Sequence, residues 1–152
     1  MKIEAEATVP ASAEAVFEFL ADLENHWELA DRFIEVVSLE REALDKPARG
    51  GRVRMHGPLG TRRTTTTRVV TAEPHRSLSG TVELSGGTRA RVHWGLMPDV
   101  GATRVRLSAE LERSALLDRL LLAAGGRIWL RRRFEAILEV LAGRFAANQS
   151  SV

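Results

Sequence analysis

Apolar and polar residues alternate with a period of two along most of the chain, and the period lengthens to that of a helix in two places. Lys2 to Val9 sets Ile3, Ala5, Ala7 and Val9 against Lys2, Glu4, Glu6 and Thr8, which predicts a strand with one apolar face. Pro10 ends it. Ser12 is a candidate N-cap, and Val16, Phe17, Leu20 and Leu23 then recur at helical spacing. A second short helical piece is expected over His26 to Arg32, after a break at Glu24-Asn25.

From Phe33 to Leu111 the period returns to two. Six strands are expected, separated by turn signals at Lys46-Pro47 to Gly50-Gly51, Gly57-Pro58-Leu59-Gly60, Pro74, Gly86-Gly87 and Pro98 to Gly101. Most of these strands carry one apolar face and one charged face. Antiparallel sheets with one solvated side have this pattern, and buried parallel strands do not. After Glu112 the helical period resumes. Leu116, Leu117, Leu120, Leu121 and Ala124 form a first stripe, and Leu130, Phe134, Ile137, Leu138, Leu141 and Phe145 form a longer one. Gly125-Gly126 between them predicts a kink. The terminal helix is the only predicted element long enough to lie across the sheet, whose apolar face must be covered.

Composition narrows the class. The 152 residues suit one domain, spanning 1–147, with a frayed tail over 148–152. Apolar residues make up 44% and charged residues 28%, which is the globular range. Cysteine is absent, so disulfides, thiol nucleophiles and Cys-ligated metals are excluded. The N-terminus lacks an apolar signal segment, and no run approaches the ~20 apolar residues of a membrane span. A cytoplasmic protein without a transmembrane segment is the expectation. Twenty arginines stand against two lysines at a formal net charge of only +2, a bias that GC-rich coding accounts for better than phosphate binding does.

Several stretches carry a family resemblance. ATVPASAEAVFEFLADLENHWE at 7–28, RVVTAEPHRSL at 68–78, GLMPDVGATRVRLSAELE at 95–112 and the tail LLDRLLLAAGGRIWLRRRFEAILEVLAGRF at 116–145 resemble the SRPBCC (START-like) superfamily, and within it the polyketide cyclase/dehydrase-like branch. The resemblance implies an α+β helix-grip fold: a curved antiparallel sheet of seven strands wrapped around a long C-terminal helix, with one or two short helices after the first strand. It also implies a cavity between sheet and helix. It does not imply one chemistry, because lipid carriers, hormone receptors, cyclases and quinone-binding proteins share the fold. Unlike the aromatase and cyclase members, this chain has no tyrosine.

If the apolar faces point inward, the wall draws on Val53, Met55, Val82, Val92, Trp94, Leu96, Val105 and Leu107 from the strands. The helices would add Phe17, Leu20, Leu130, Phe134 and Ile137, with Trp27 and His26 near the cavity mouth. Any one of these residues serves as plain core more readily than as a ligand contact. Trp94 and Met55 are the better ligand surfaces, one a broad aromatic face and the other a flexible thioether. The run Arg62 to Arg68 has no clear apolar face. Counting back from Val69 turns Arg63, Thr65 and Thr67 inward, where hydroxyls and a guanidinium would meet a carbonyl, carboxylate or phosphate. The competing reading makes this an edge strand, using Thr for β propensity and Arg for solubility.

No cofactor is implied. Metal-ligand spacings, a nucleophile elbow, G-x-x-x-x-G-K-[ST] and G-x-G-x-x-G are all missing. The segment Arg127 to Phe134 has the basic and aromatic look of an RNA or anionic-membrane contact, but its arginines fit a solvated helix face better, and nucleic acid is not the expected partner. Three functions remain, in this order: a binding protein for a small hydrophobic ligand such as a lipid, quinone or polyketide; a cyclase or dehydratase whose only acid–base candidates are Arg63, Thr65, Thr67, His26 and Glu35; and an interaction module with a closed core. Either a monomer or a homodimer fits the sequence.

Overall fold

The computed structural model describes residues 2–57 and 60–150. Seven strands form one antiparallel sheet: β1 (Lys2–Val9), β2 (Ile34–Glu40), β3 (Gly50–His56), β4 (Arg62–Glu73), β5 (Ser77–Leu84), β6 (Thr88–Asp99) and β7 (Ala102–Arg113). Their order is β1-β7-β6-β5-β4-β3-β2, so β1 and β2 are the two edges. Two helices carry the chain from one edge to the other, α1 (Ala13–Leu20) and α2 (Leu23–Leu29). After β7 come α3 (Leu116–Leu121), one π-type turn over Leu122–Gly126, and α4 (Arg127–Ser150). The start of the expected 148–152 tail is thus helical backbone, and residues 151–152 lie outside the described residues. So does Pro58-Leu59, the centre of the turn expected between β3 and β4.

Local chemistry sets the boundaries. The Ser12 side chain accepts from the Ala15 N–H at 3.1 Å and caps α1 as expected. The break between the first two helices falls at Ala21-Asp22 rather than Glu24-Asn25. Asp22 supplies the reason: its carboxylate caps the Glu24 N–H at 3.0 Å, accepts from Arg41 at 2.9 Å and starts α2 earlier than the spacing suggests. The expected kink is at Gly125, whose φ of +106° no β-carbon-bearing residue adopts easily. Register shifts at Val36/Ser38, Val69/Thr71 and Arg89/Ala90 add local twist and bend the sheet around the helix.

The concave side carries two clusters of buried residues. The larger joins Ala5, Val9, Leu78, Trp94, Leu96, Val105 and Leu107 of the sheet to Leu138 and Leu141 of α4 and to Val16 and Leu20 of α1. The smaller contains Leu23 and Trp27 of α2 with Ala48 and Val53, and Ile34, Leu39 and Met55 pack against it. The inward assignment of Val92, Trp94, Val105 and Leu107 therefore agrees with the structure. The first tail stripe differs: Leu116, Leu117, Leu120 and Leu121 of α3 are exposed. Of the two tail stripes, the long one covers the sheet, together with α1 and α2.

Candidate functional site

The two clusters do not close on one another. Between them lies a cavity of about 170 Å³, walled by members of both. β3 to β7 provide Val53, Met55, Thr65, Thr67, Val69, Leu78, Val82, Val92, Trp94 and Leu107. α4 provides Phe134 and Ile137, and α2 with the following segment provides Leu23, His26, Trp27, Ala30 and Ile34. The wall is overwhelmingly hydrocarbon and aromatic, which suits a ligand pocket with few polar anchors.

Gly51 allows α2 to approach. A methyl group on it would lie 2.6 Å from Cη2 of Trp27 and would also collide with the Ser38 carbonyl. The bare backbone of β3 therefore lets the Trp27 ring lie against the strand. On the same helix, the His26 ring stands edge-on to Trp94 with centroids 5.2 Å apart. Its Nε2–H donates to the Leu20 carbonyl, an oxygen that can only accept, so the neutral tautomer leaves Nδ1 without a proton. Burial pushes the His26 pKa down to about 4, against partial opposition from the Leu20 carbonyl and the Asp22 charge. At neutral pH the cavity wall holds an uncharged imidazole.

Thr65 supplies the second polar feature. It is 1% exposed, and its hydroxyl has no hydrogen-bond partner among the described residues. Buried hydroxyls are almost always satisfied, and leaving one unpaired costs on the order of 1–3 kcal/mol. β4 is hydrogen-bonded to β3 on one side and β5 on the other, so the edge-strand reading of the Thr run is excluded. Strand pairing fixes Thr65 between Val53 and Leu84.

Other candidates lie elsewhere. Arg63 has the predicted inward parity but does not border the cavity. It donates to the Asp118 carboxylate and to the Ser85 carbonyl. Burial raises the Asp118 pKa, yet hydrogen bonds from Arg63 and Thr88, with the Arg63 charge, outweigh it and hold the group below its ordinary value. Leu20, Leu96 and Val105 are enclosed in the larger cluster, where helices and sheet meet without a gap. Phe17 packs at the edge of that cluster, edge-on to His75 at 5.8 Å. Leu130 is half-buried on α4 away from the cavity. Glu35 is exposed and faces Arg54 at 3.5 Å. Arg133 departs from the expected solvated face. Its guanidinium lies 4.2 Å from the Phe33 ring centre and 4.0 Å from that of Trp129, donates to the His56 carbonyl at 2.7 Å, and is pushed below its usual pKa by burial.

Leu23, Ala30 and Ile34 line the wall without being among the sequence candidates for it. Leu23, His26, Trp27 and Ala30 stand at i, i+3, i+4 and i+7 on one helix face. A helix break placed at Glu24-Asn25 hides that face. Among the described residues no group of three or more His, Asp or Glu side chains has metal-site geometry, and no helix is long and apolar enough to cross a membrane.

Comparison with known proteins agrees with this architecture. A family model described as "Polyketide cyclase / dehydrase and lipid transport" matches residues 1–146. No curated protein sequence matches significantly. Among solved structures, the protein TTHA0849 from Thermus thermophilus superposes with a TM-score of 0.66 at 22% identity, covering 97% of this chain and 99% of that one. A START superfamily protein from Mycobacterium smegmatis gives 0.63 at 16% identity, covering 96% and 97%. DynU16, a putative protein of the dynemicin biosynthetic locus, gives 0.52 at 20% identity, covering 91% of this chain and 47% of that one. At these identities the likeness is one of fold.

Proposed function

The chain belongs to the polyketide cyclase/dehydrase and lipid transport family, and from that premise we propose that it is a cytoplasmic binding protein for a small hydrophobic ligand held between sheet and C-terminal helix. The observation that carries this reading is the apolar gap between the two core clusters, with one unpaired hydroxyl in its wall. An apolar cavity of about 150 Å³ stays dry and accepts a benzene-sized guest. The 170 Å³ here fits one aromatic ring or a short length of acyl chain. A quinone, lipid or polyketide larger than that needs α2 or α4 to move outward. Thr65 would donate to a carbonyl or ether oxygen of the guest, and Trp27, Trp94 and Phe134 would hold its apolar body.

The cyclase or dehydratase reading is the weaker one. General acid–base chemistry needs a proton donor and acceptor within reach of the substrate. Arg63 is held by Asp118 and Glu35 is paired outside, so Thr65, Thr67 and His26 are the candidates on the wall, and His26 is the titratable one. A pKa of about 4 makes it a weak base at neutral pH.

Native mass spectrometry of freshly purified protein tests the proposal. A fraction carrying an extra mass of a few hundred daltons, identified as an apolar molecule with a carbonyl or ether oxygen, is the expected result. Protein that is entirely free of adduct, and takes up no apolar compound when incubated with a lipid extract, contradicts it.

A further inference from the structure

α3 exposes what a short amphipathic helix normally hides. Leu116, Leu117 and Leu120 are 60–73% exposed, and Leu121 joins them on the same side. The opposite side carries Asp118, which is buried and bonded to Arg63 of β4 and Thr88 of β6. Rolling α3 to turn its leucines inward would pull the buried Asp118 carboxylate off both Thr88 and the partly buried Arg63, which opposes that rotation. The sheet holds them in water.

Cations border these leucines. Arg119 lies on α3, and Arg127 and Arg131 follow the kink. Among the described residues no carboxylate is ion-paired to Arg119 or Arg127, while Arg131 reaches Glu135 at 3.5 Å. Arg127 and Arg131 line an open groove with Ile128, itself 63% exposed, and with Lys2, which is paired to Glu4 of the same groove at 3.5 Å. The one acidic residue of α3 is already used inside.

We propose that α3 and the kink after it form a docking surface for a bilayer rich in anionic phospholipid, with the leucines entering the acyl boundary and the arginines meeting the phosphates. Exposed leucines flanked by arginines are the chemistry of interfacial helices. A second copy of this chain is the poorer occupant: it would set arginines against arginines with no carboxylate of α3 free to offset them. A bilayer needs no shape complementarity beyond leucines at one depth and cations at another. This surface lies outside the cavity wall and stands whatever the cavity holds.

Vesicle flotation tests it. The full chain should float with phosphatidylcholine vesicles containing about one-third phosphatidylglycerol, not with pure phosphatidylcholine, and should detach as salt rises. The double variant Leu117→Ser/Leu120→Ser should lose at least about tenfold in vesicle affinity with its melting temperature unchanged, because both side chains are already in water. Arg127→Gln/Arg131→Gln should weaken binding and flatten its salt dependence. Failure of the wild type to float with either vesicle overturns the proposal, and so does a leucine variant that floats equally well. A concentration-dependent dimer in sedimentation velocity that the leucine variant splits, without vesicle binding, overturns it in favour of a second copy.

Discussion

The two halves of the sheet are covered differently. On the β1-β7-β6 side α4 lies directly on β1 and β7 and α1 on β6, and Val9, Val105, Leu138 and Leu141 are 0–1% exposed. On the β4-β3-β2 side the cover is α2, seven residues long, with Trp27 as its main contact. One helix presents an apolar stripe roughly 100° wide, too narrow for a curved sheet of this span. The β1-β7 interior is solid, and a gap whose near edge is Trp94 and Leu107 opens over the other half where α2 and α4 diverge. Fold and site therefore separate: one half holds the molecule together and the other is free to hold something else.

Substitutions should break this contrast in graded fashion. Leu141→Ala in the solid half should destabilise by about 3 kcal/mol, lowering the melting temperature by about 10 °C, since the site has no room to collapse. Met55→Ala on the gap should cost under about 1.5 kcal/mol, because that side chain already lacks neighbours on one side. Equal losses in thermal melts would erase the distinction between the halves.

Acid should loosen the gap first. The folded pKa of His26, about 4, is below its unfolded value of 6.5, so its contribution is complete above pH 6.5 and is lost as pH falls toward 4. The loss amounts to about 3 kcal/mol. Asp22 and Asp118, also depressed, lose their contributions only below the ordinary carboxylate value of 3.8. Denaturant titrations from neutral pH down to the folded pKa should show this slope in the wild type and a much flatter one in His26→Phe.

The smallest effect has the opposite sign. Thr65→Val keeps the shape and removes the unpaired hydroxyl, so it should stabilise by about 1 kcal/mol. The same change should weaken binding of a carbonyl-bearing guest more than of a pure hydrocarbon. A loss of stability in Thr65→Val would mean that the hydroxyl has a partner in solution.

Much of the fold is legible because the strands alternate and the turns are marked. Val53, Trp94 and Leu107 point inward as their parity requires. Parity counted back from Val69 also turns Thr65 and Thr67 to the concave face, through a run that has no apolar residue of its own. Periodicity does not reveal which inward residues meet a helix and which meet empty space. Val105 has the same pattern as Val82 and Val92, and only the path of α4 separates them. Arg63 is hidden for a similar reason: its partner Asp118 lies 55 residues away on a helix whose apolar stripe suggests the reverse orientation. That stripe reads as core because a leucine pattern does not say whether a sheet lies beneath it.

The most direct measurement is a titration with 2-naphthol followed by tryptophan fluorescence, to which Trp27 and Trp94 of the cavity wall contribute, in the wild type and in Val82→Phe, which fills the gap. A saturable change in the wild type that Val82→Phe abolishes, with the fold retained, is the expected result. No saturable change, or the same change in both proteins, would contradict a cavity able to take a guest.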